Sequence, residues 1–165
     1  MTDNIEHKSP MRVLRVATTA SLSGRSELTY QISCSNDNAI FFRVTANSAA
    51  GMFSNDWISM AAISDALSNA QKIRSATLLQ TCYSTRSQNS GGFLLGCLVN
   101  EKLIASSEGN ERNYQCLDPS AFLEHINALI ASNVELADDA APIQQPPDTS
   151  LAAPASSKRG KSKKA

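Results

Sequence analysis

Between Met11 and Asn133 the spacing of apolar positions changes several times, and each change predicts an element. Met11 to Ala17 offers β-formers in partial alternation, which suits a strand or an extended basic arm. Ser21–Ser26 is a loop with Gly24 at its centre. From Leu28 the alternation is clean, and Leu28, Tyr30, Ile32 and Cys34 share one face of a strand. The turn residues Ser35-Asn36-Asp37-Asn38 come next, then a second extended run, Ala39 to Thr45. Together they predict an antiparallel hairpin over 28–45.

The period then lengthens. Ser59 can cap a helix by accepting from the first backbone N–H groups, and Met60, Ile63, Leu67 and Ala70 lay one apolar stripe along it. Trp57 and Ile58 anchor its entry. Lys72-Ile73-Arg74 leads to a segment where Ser75 can cap a second helix, with Leu78, Leu79, Cys82 and Tyr83 inward. Thr77, Leu79, Thr81 and Tyr83 also alternate as a strand would; length does not decide, and the helix is favoured. After the polar run Ser84–Ser90, Phe93 to Val99 reads as a buried helix capped by Asn89 or Ser90. Leu103–Ser107 and Arg112–Leu117 flank a Gly109-Asn110 turn, a second hairpin. Asp118 caps and Pro119 opens a last helix over 119–132, with Phe122, Leu123, Ile126, Leu129 and Ile130 on its apolar face.

The pattern is absent from both ends. Residues 1–10 are polar and expected to be disordered. From Val134 onward Ala, Pro, Asp, Gln and Ser dominate, and such a chain buries too little to offset its conformational entropy. The expected organisation is one α+β domain over 11–133, then a disordered acidic, proline-containing linker and a basic tail over 134–165. A length of 165 residues agrees with one domain. With aromatics at only 5%, the core must rest on aliphatic side chains. There is no apolar run of bilayer-spanning length and no signal-like N-terminus, so the expectation is a cytoplasmic protein without a membrane partner.

Charge is segregated although it sums to zero. Residues 1–133 hold ten bases and eleven acids; 134–157 hold four acids and no base; 158–165 hold five bases and no acid. Lys158, Arg159, Lys161, Lys163 and Lys164 form a cluster able to neutralise phosphates without reading sequence. The acidic linker can fold back on it and weaken that contact.

Catalytic chemistry finds little support. Cys34, Cys82, Cys97 and Cys116 lack a Cys-x-x-Cys pair, which disfavours zinc. A disulfide framework, allowed by the count, is disfavoured in a cytoplasmic chain, and these read as buried or half-buried thiols. His7 lies in the polar N-terminus, and His125 beside Glu124 reads as a solvated helix residue. No phosphate loop, nucleophile elbow or catalytic carboxylate pair is present. The expectation is a protein without enzymatic activity and without a cofactor.

The order of elements carries more. Helix, connector, helix, polar turn, helix and hairpin over about 59–117 resemble a winged helix-turn-helix-type domain. The string Leu98-Val99-Asn100-Glu101-Lys102-Leu103-Ile104 is similar to the passage from a recognition helix into the first wing strand. The chain departs from that family at Lys102, where many members have glycine, and at Gly91-Gly92, which open the third helix. The resemblance implies a winged-helix-like module with a β wing, bound to double-stranded DNA. Thr85, Arg86, Gln88, Asn89 and Ser90 would face base edges, because arginine suits guanine and Asn or Gln suits adenine. Lys72 and Arg74 would hold phosphates, and Arg112 would act from the wing. The alternative is a protein-binding adaptor or inhibitor in which Phe41, Phe42 or Trp57, if exposed, anchors a partner.

Overall fold

The computed structural model describes residues 11–83, 87–107 and 110–137, apart from the side chains of 110 and 111. The protein is α+β. Strands β1 (Arg12–Ala20), β2 (Glu27–Cys34), β3 (Ile40–Asn47) and the short β4 (Ile58–Ser59) form an antiparallel sheet in sequence order. Helices α1 (Met60–Asn69), α2 (Ser75–Cys82) and α3 (Asn89–Asn100) follow, then the two-stranded sheet β5 (Ile104–Ser107) and β6 (Asn110–Cys116), then α4 (Ser120–Ala131).

The expected hairpin over 28–45 is thus the middle of a larger sheet, and the Met11 segment is its first strand, not a free arm. Strand pairing sorts the side chains into two faces. Tyr30, Ile32, Cys34, Phe42 and Val44 join Ile63, Leu78, Leu94, Leu98 and Ile126 in one buried cluster. The Phe122 ring of α4 stacks on Phe42 at 5.8 Å. Val13 pairs with Ser33, and Val16 with Gln31, on the opposite face, where Arg43 sits 4.2 Å over the Trp57 ring.

Segment 75–83 is helical through Cys82. Tertiary packing selects the helix: Leu78 is fully buried, and the helix lies against α3 at Gly91. An added Cβ at Gly91 would come within 2.2 Å of the Ser75 carbonyl oxygen, so only glycine permits this approach.

The helix starts differ in part from expectation. Ser59 caps α1 as expected, accepting from Ala62 N–H at 3.1 Å. At α2 the partner is Thr77, whose hydroxyl accepts from Arg74 N–H at 3.3 Å, and Ser75 is already the first helical residue. Asn89 and Ser90 lie inside α3 and do not cap it. At α4 the cap position is Pro119, not Asp118, and the first helical residue is Ser120; Asp118, one residue earlier, accepts from Ser120 N–H at 2.9 Å.

The chain stays attached beyond Asn133, where the linker was expected to begin. Leu136 N–H donates to the Val13 carbonyl at 2.8 Å, pairing along the β1 edge. Arg12 also reaches the Ile130 and Val134 carbonyls from β1. Among the described residues no helix is long and apolar enough to cross a membrane.

Candidate functional site

Among the clefts that meet α3, two carry charged side chains, and they differ in charge. The first forms where β6 docks on the connector before α2. Tyr114 N–H donates to the Ile73 carbonyl at 3.2 Å, and Arg74 Nε donates to Asn113 Oδ1 at 3.2 Å. These contacts bring Arg74 and Arg112 into one cleft of about 780 Å³, with Ser23, Ser75 and Tyr114 around it and Leu95 at its floor. No carboxylate lines this cleft among the described residues. Lys72 is exposed two residues before Arg74, and Arg25 is exposed on the loop that carries Ser23.

The expected base-reading residues are arranged otherwise. Thr85 and Arg86 lie outside the described residues, as do Lys158, Arg159, Lys161, Lys163 and Lys164. Gln88 is exposed just before α3. Asn89 is exposed, but its amide donates to the Met52 carbonyl at 3.0 Å. Ser90 is buried and accepts from Ser54 N–H at 2.8 Å. Both therefore fasten the 52–54 loop to α3.

The third helix has no open face. Only its end residues, Asn89 and Asn100, are exposed, and every residue between is buried or half-buried. The sheet covers one side, where a Cβ at Gly96 would lie 3.7 Å from the Ala20 carbonyl oxygen. A helix wedged between a sheet and α2 cannot enter a major groove along its length. Of the three aromatics expected as anchors, Phe42 is buried in the core, while Phe41 and Trp57 are half-buried.

The second cleft sits at the C-terminal end of α3, and nothing in the local sequence pattern announces it. Arg15, Glu101, Lys102, Asp118, Phe122 and His125 line about 460 Å³. Arg15 Nε lies 3.3 Å from Glu101 Oε1, with side-chain exposures of 15% and 7%. The Tyr30 hydroxyl donates to the same Oε1 and accepts from Asn100 Nδ2 at 2.7 Å. Burial, then the negative charge of Glu101 and the hydrogen bond to it, raises the Tyr30 pKa far above the usual phenol range. Asp118, held by Ser120 donors, is shifted below the usual carboxylate range.

Arg15 reaches this cleft because of a β-bulge. The register slips between Val13 and Arg15, so that Arg15 pairs with Ile32 on the helix-covered face. Strict alternation from the inward Leu14 would have turned Arg15 to the other side.

Among the described residues, no cluster of three His, Cys, Asp or Glu side chains is placed to hold a metal. All four cysteines are free, with Cys34 and Cys97 buried, Cys82 half-buried and Cys116 exposed. Comparisons with protein-family models, with curated proteins and with solved structures found no match for the chain.

Proposed function

We propose that the protein is a non-catalytic DNA-binding accessory or regulatory protein that grips the duplex through its phosphates. The observation that carries this reading is the placement of Arg74 and Arg112 in one cleft that no carboxylate lines among the described residues, with exposed Lys72 close by in sequence. Two arginines lining one cleft suit phosphate oxygens, which arginine contacts in a forked geometry. The tail from Lys158 to Lys164 supplies further phosphate neutralisation. Such contacts fix orientation without reading bases. This departs from the winged-helix expectation of an inserted recognition helix, because α3 is covered on its sides. What remains of that expectation is the use of the wing strand β6 and the start of α2.

The test is fluorescence anisotropy of labelled duplexes across a salt series, on the full chain. Arg74→Ala and Arg112→Ala should each lower the slope of log K against log salt by about 1. The loss should be equal on all duplex sequences. Unchanged slopes for both variants would remove this reading.

A second reading, a protein-binding adaptor, is favoured by the sheet face away from the helices. Phe41 and Trp57 stay half-exposed there, with Arg43 stacked on the indole. Aromatic and arginine side chains together are common anchors of protein interfaces. Trp57→Ala would weaken a protein complex while leaving duplex binding intact.

A further inference from the structure

The cleft at the C-terminal end of α3 has a built-in asymmetry that the phosphate-binding reading does not use. Glu101 and Arg15 are both largely buried, yet their pairing is incomplete. Arg15 Nε is buried and finds no aligned hydrogen-bond acceptor, although Glu101 Oε1 is 3.3 Å away. Both described partners of the carboxylate, Tyr30 and Arg15, address Oε1. A buried ion pair of this kind adds little to stability, because desolvation offsets its attraction, and an apolar pair would serve packing as well. The arrangement instead holds one carboxylate and one guanidinium at fixed positions in a solvent-reached cleft.

The charges around the pair narrow the ligand. Lys102 adds a second cation and Asp118 a second anion. A simple anion entering here would meet two carboxylates, and a simple cation would meet two bases. A ligand carrying both signs is complemented at each end. The C-terminal end of α3 adds negative potential from its last carbonyls, which favours a positive group beside Glu101. Leu117, Ala121 and Phe122 give the cleft an apolar wall. Its volume of about 460 Å³ falls in the range of small-molecule sites, roughly 300–1,000 Å³.

We propose that this cleft binds a small zwitterion, a free α-amino acid with an aliphatic side chain. Its ammonium group faces Glu101 and Asp118, its carboxylate faces Arg15 and Lys102, and its side chain lies on Phe122 and Leu117. The frame is rigid where it matters. Glu101 N–H and Lys102 N–H close the end of α3 on the Cys97 and Val99 carbonyls, both at 3.0 Å. Lys102 takes the left-handed conformation, φ 59°, that ends the helix. The site lies at the C-terminal end of α3, at Asn100 and beyond, whereas the Arg74 cleft meets that helix at Leu95, so the proposal stands without the DNA reading.

The experiment is a calorimetric and NMR titration of the full chain with three probes: L-leucine, N-acetyl-L-leucine and L-leucinamide. The acetyl compound lacks the ammonium group and the amide lacks the carboxylate. Leucine should bind saturably, with amide shifts at Arg15, Glu101 and Ala121. Each single-charge probe should bind about tenfold more weakly, the equivalent of roughly 1.4 kcal/mol for one lost charged contact. Lys102→Asn, which tolerates the left-handed backbone, and Asp118→Asn, which keeps an acceptor for Ser120 N–H, should each weaken leucine several-fold while the domain stays folded. Equal binding of the acetyl compound would make this an anion site, and equal binding of the amide a cation site. Either result overturns the proposal, as does the absence of saturable leucine binding at millimolar concentration.

Discussion

Gly91 and Gly92 are neighbours in α3, and the structure assigns opposite consequences to the same substitution. A methyl group at Gly91 would stand 2.2 Å from the Ser75 carbonyl oxygen and 2.9 Å from Leu79 Cβ. Ordinary contact begins near 3.4 Å, so α2 must retreat by about 1 Å. The obstacle is backbone, which no rotamer change relieves. Overpacking costs about 1–3 kcal/mol, and a clash with backbone belongs near the upper end. Alanine returns up to about 1 kcal/mol through its helix propensity. The net for Gly91→Ala is therefore about 2 kcal/mol of destabilisation, a fall in Tm of roughly 6–10 °C for a domain of this size. At Gly92 the new methyl meets only Ser75 Cβ, at 3.8 Å. Gly92→Ala keeps the propensity gain and should be neutral to about 1 kcal/mol more stable. Urea unfolding followed by the single Trp57 and by circular dichroism measures both, with the midpoint moving and the slope m unchanged. If Gly91→Ala unfolds at the wild-type midpoint or above it, the close approach of α2 to α3 is wrong, and the geometry around Arg74 goes with it.

Other outcomes follow from burial and charge. Leu98→Ala, at a fully buried position of α3, should cost about 2–5 kcal/mol in the same assay. Gln88→Ala, at an exposed position, should stay within about 0.5 kcal/mol of wild type. Thiol labelling of the native protein should modify exposed Cys116 first; Cys82, whose thiol pKa is pushed up to about 11 by burial, should follow slowly, and Cys34 and Cys97 should react only on unfolding. Modification of Cys97 at the rate of Cys116 would contradict its burial. The Tyr30 pKa is raised in the folded state, so its contribution is fully present below the ordinary phenol pKa of about 10 and is lost as pH rises above it. Tyr30→Phe should therefore be less stable than wild type at neutral pH, through the lost bond to Glu101, and should lose less stability on going to alkaline pH. A parallel decline in both proteins would refute that assignment.

The sequence by itself determined most of the element list, leaving the Met11 segment as strand or arm and omitting β4. Period-2 alternation marked β2, and period-3.6 stripes marked α1 and α4, because backbone geometry fixes which side chains share a face. The Ser59 cap and the Asp118 turn into α4 were legible for the same reason: a helix end leaves donors that a nearby side chain must meet. Segment 75–83 satisfied both periods, and what decided it lies across the fold, in the burial of Leu78 and the contact of α2 with Gly91. The role of α3 was also a tertiary matter. Its order between a helix and a hairpin suggested a buried helix whose first residues and preceding turn face DNA, but Asn89 and Ser90 hold the 52–54 loop and the sheet from the first third of the chain packs over the helix, and no local pattern records what a distant segment covers. The Arg15–Glu101 pair joins residues 86 positions apart through one slipped residue in β1. A bulge reverses the facing of every side chain after it and leaves the composition unchanged, so the charged cleft at the end of α3 came into view only with the folded chain.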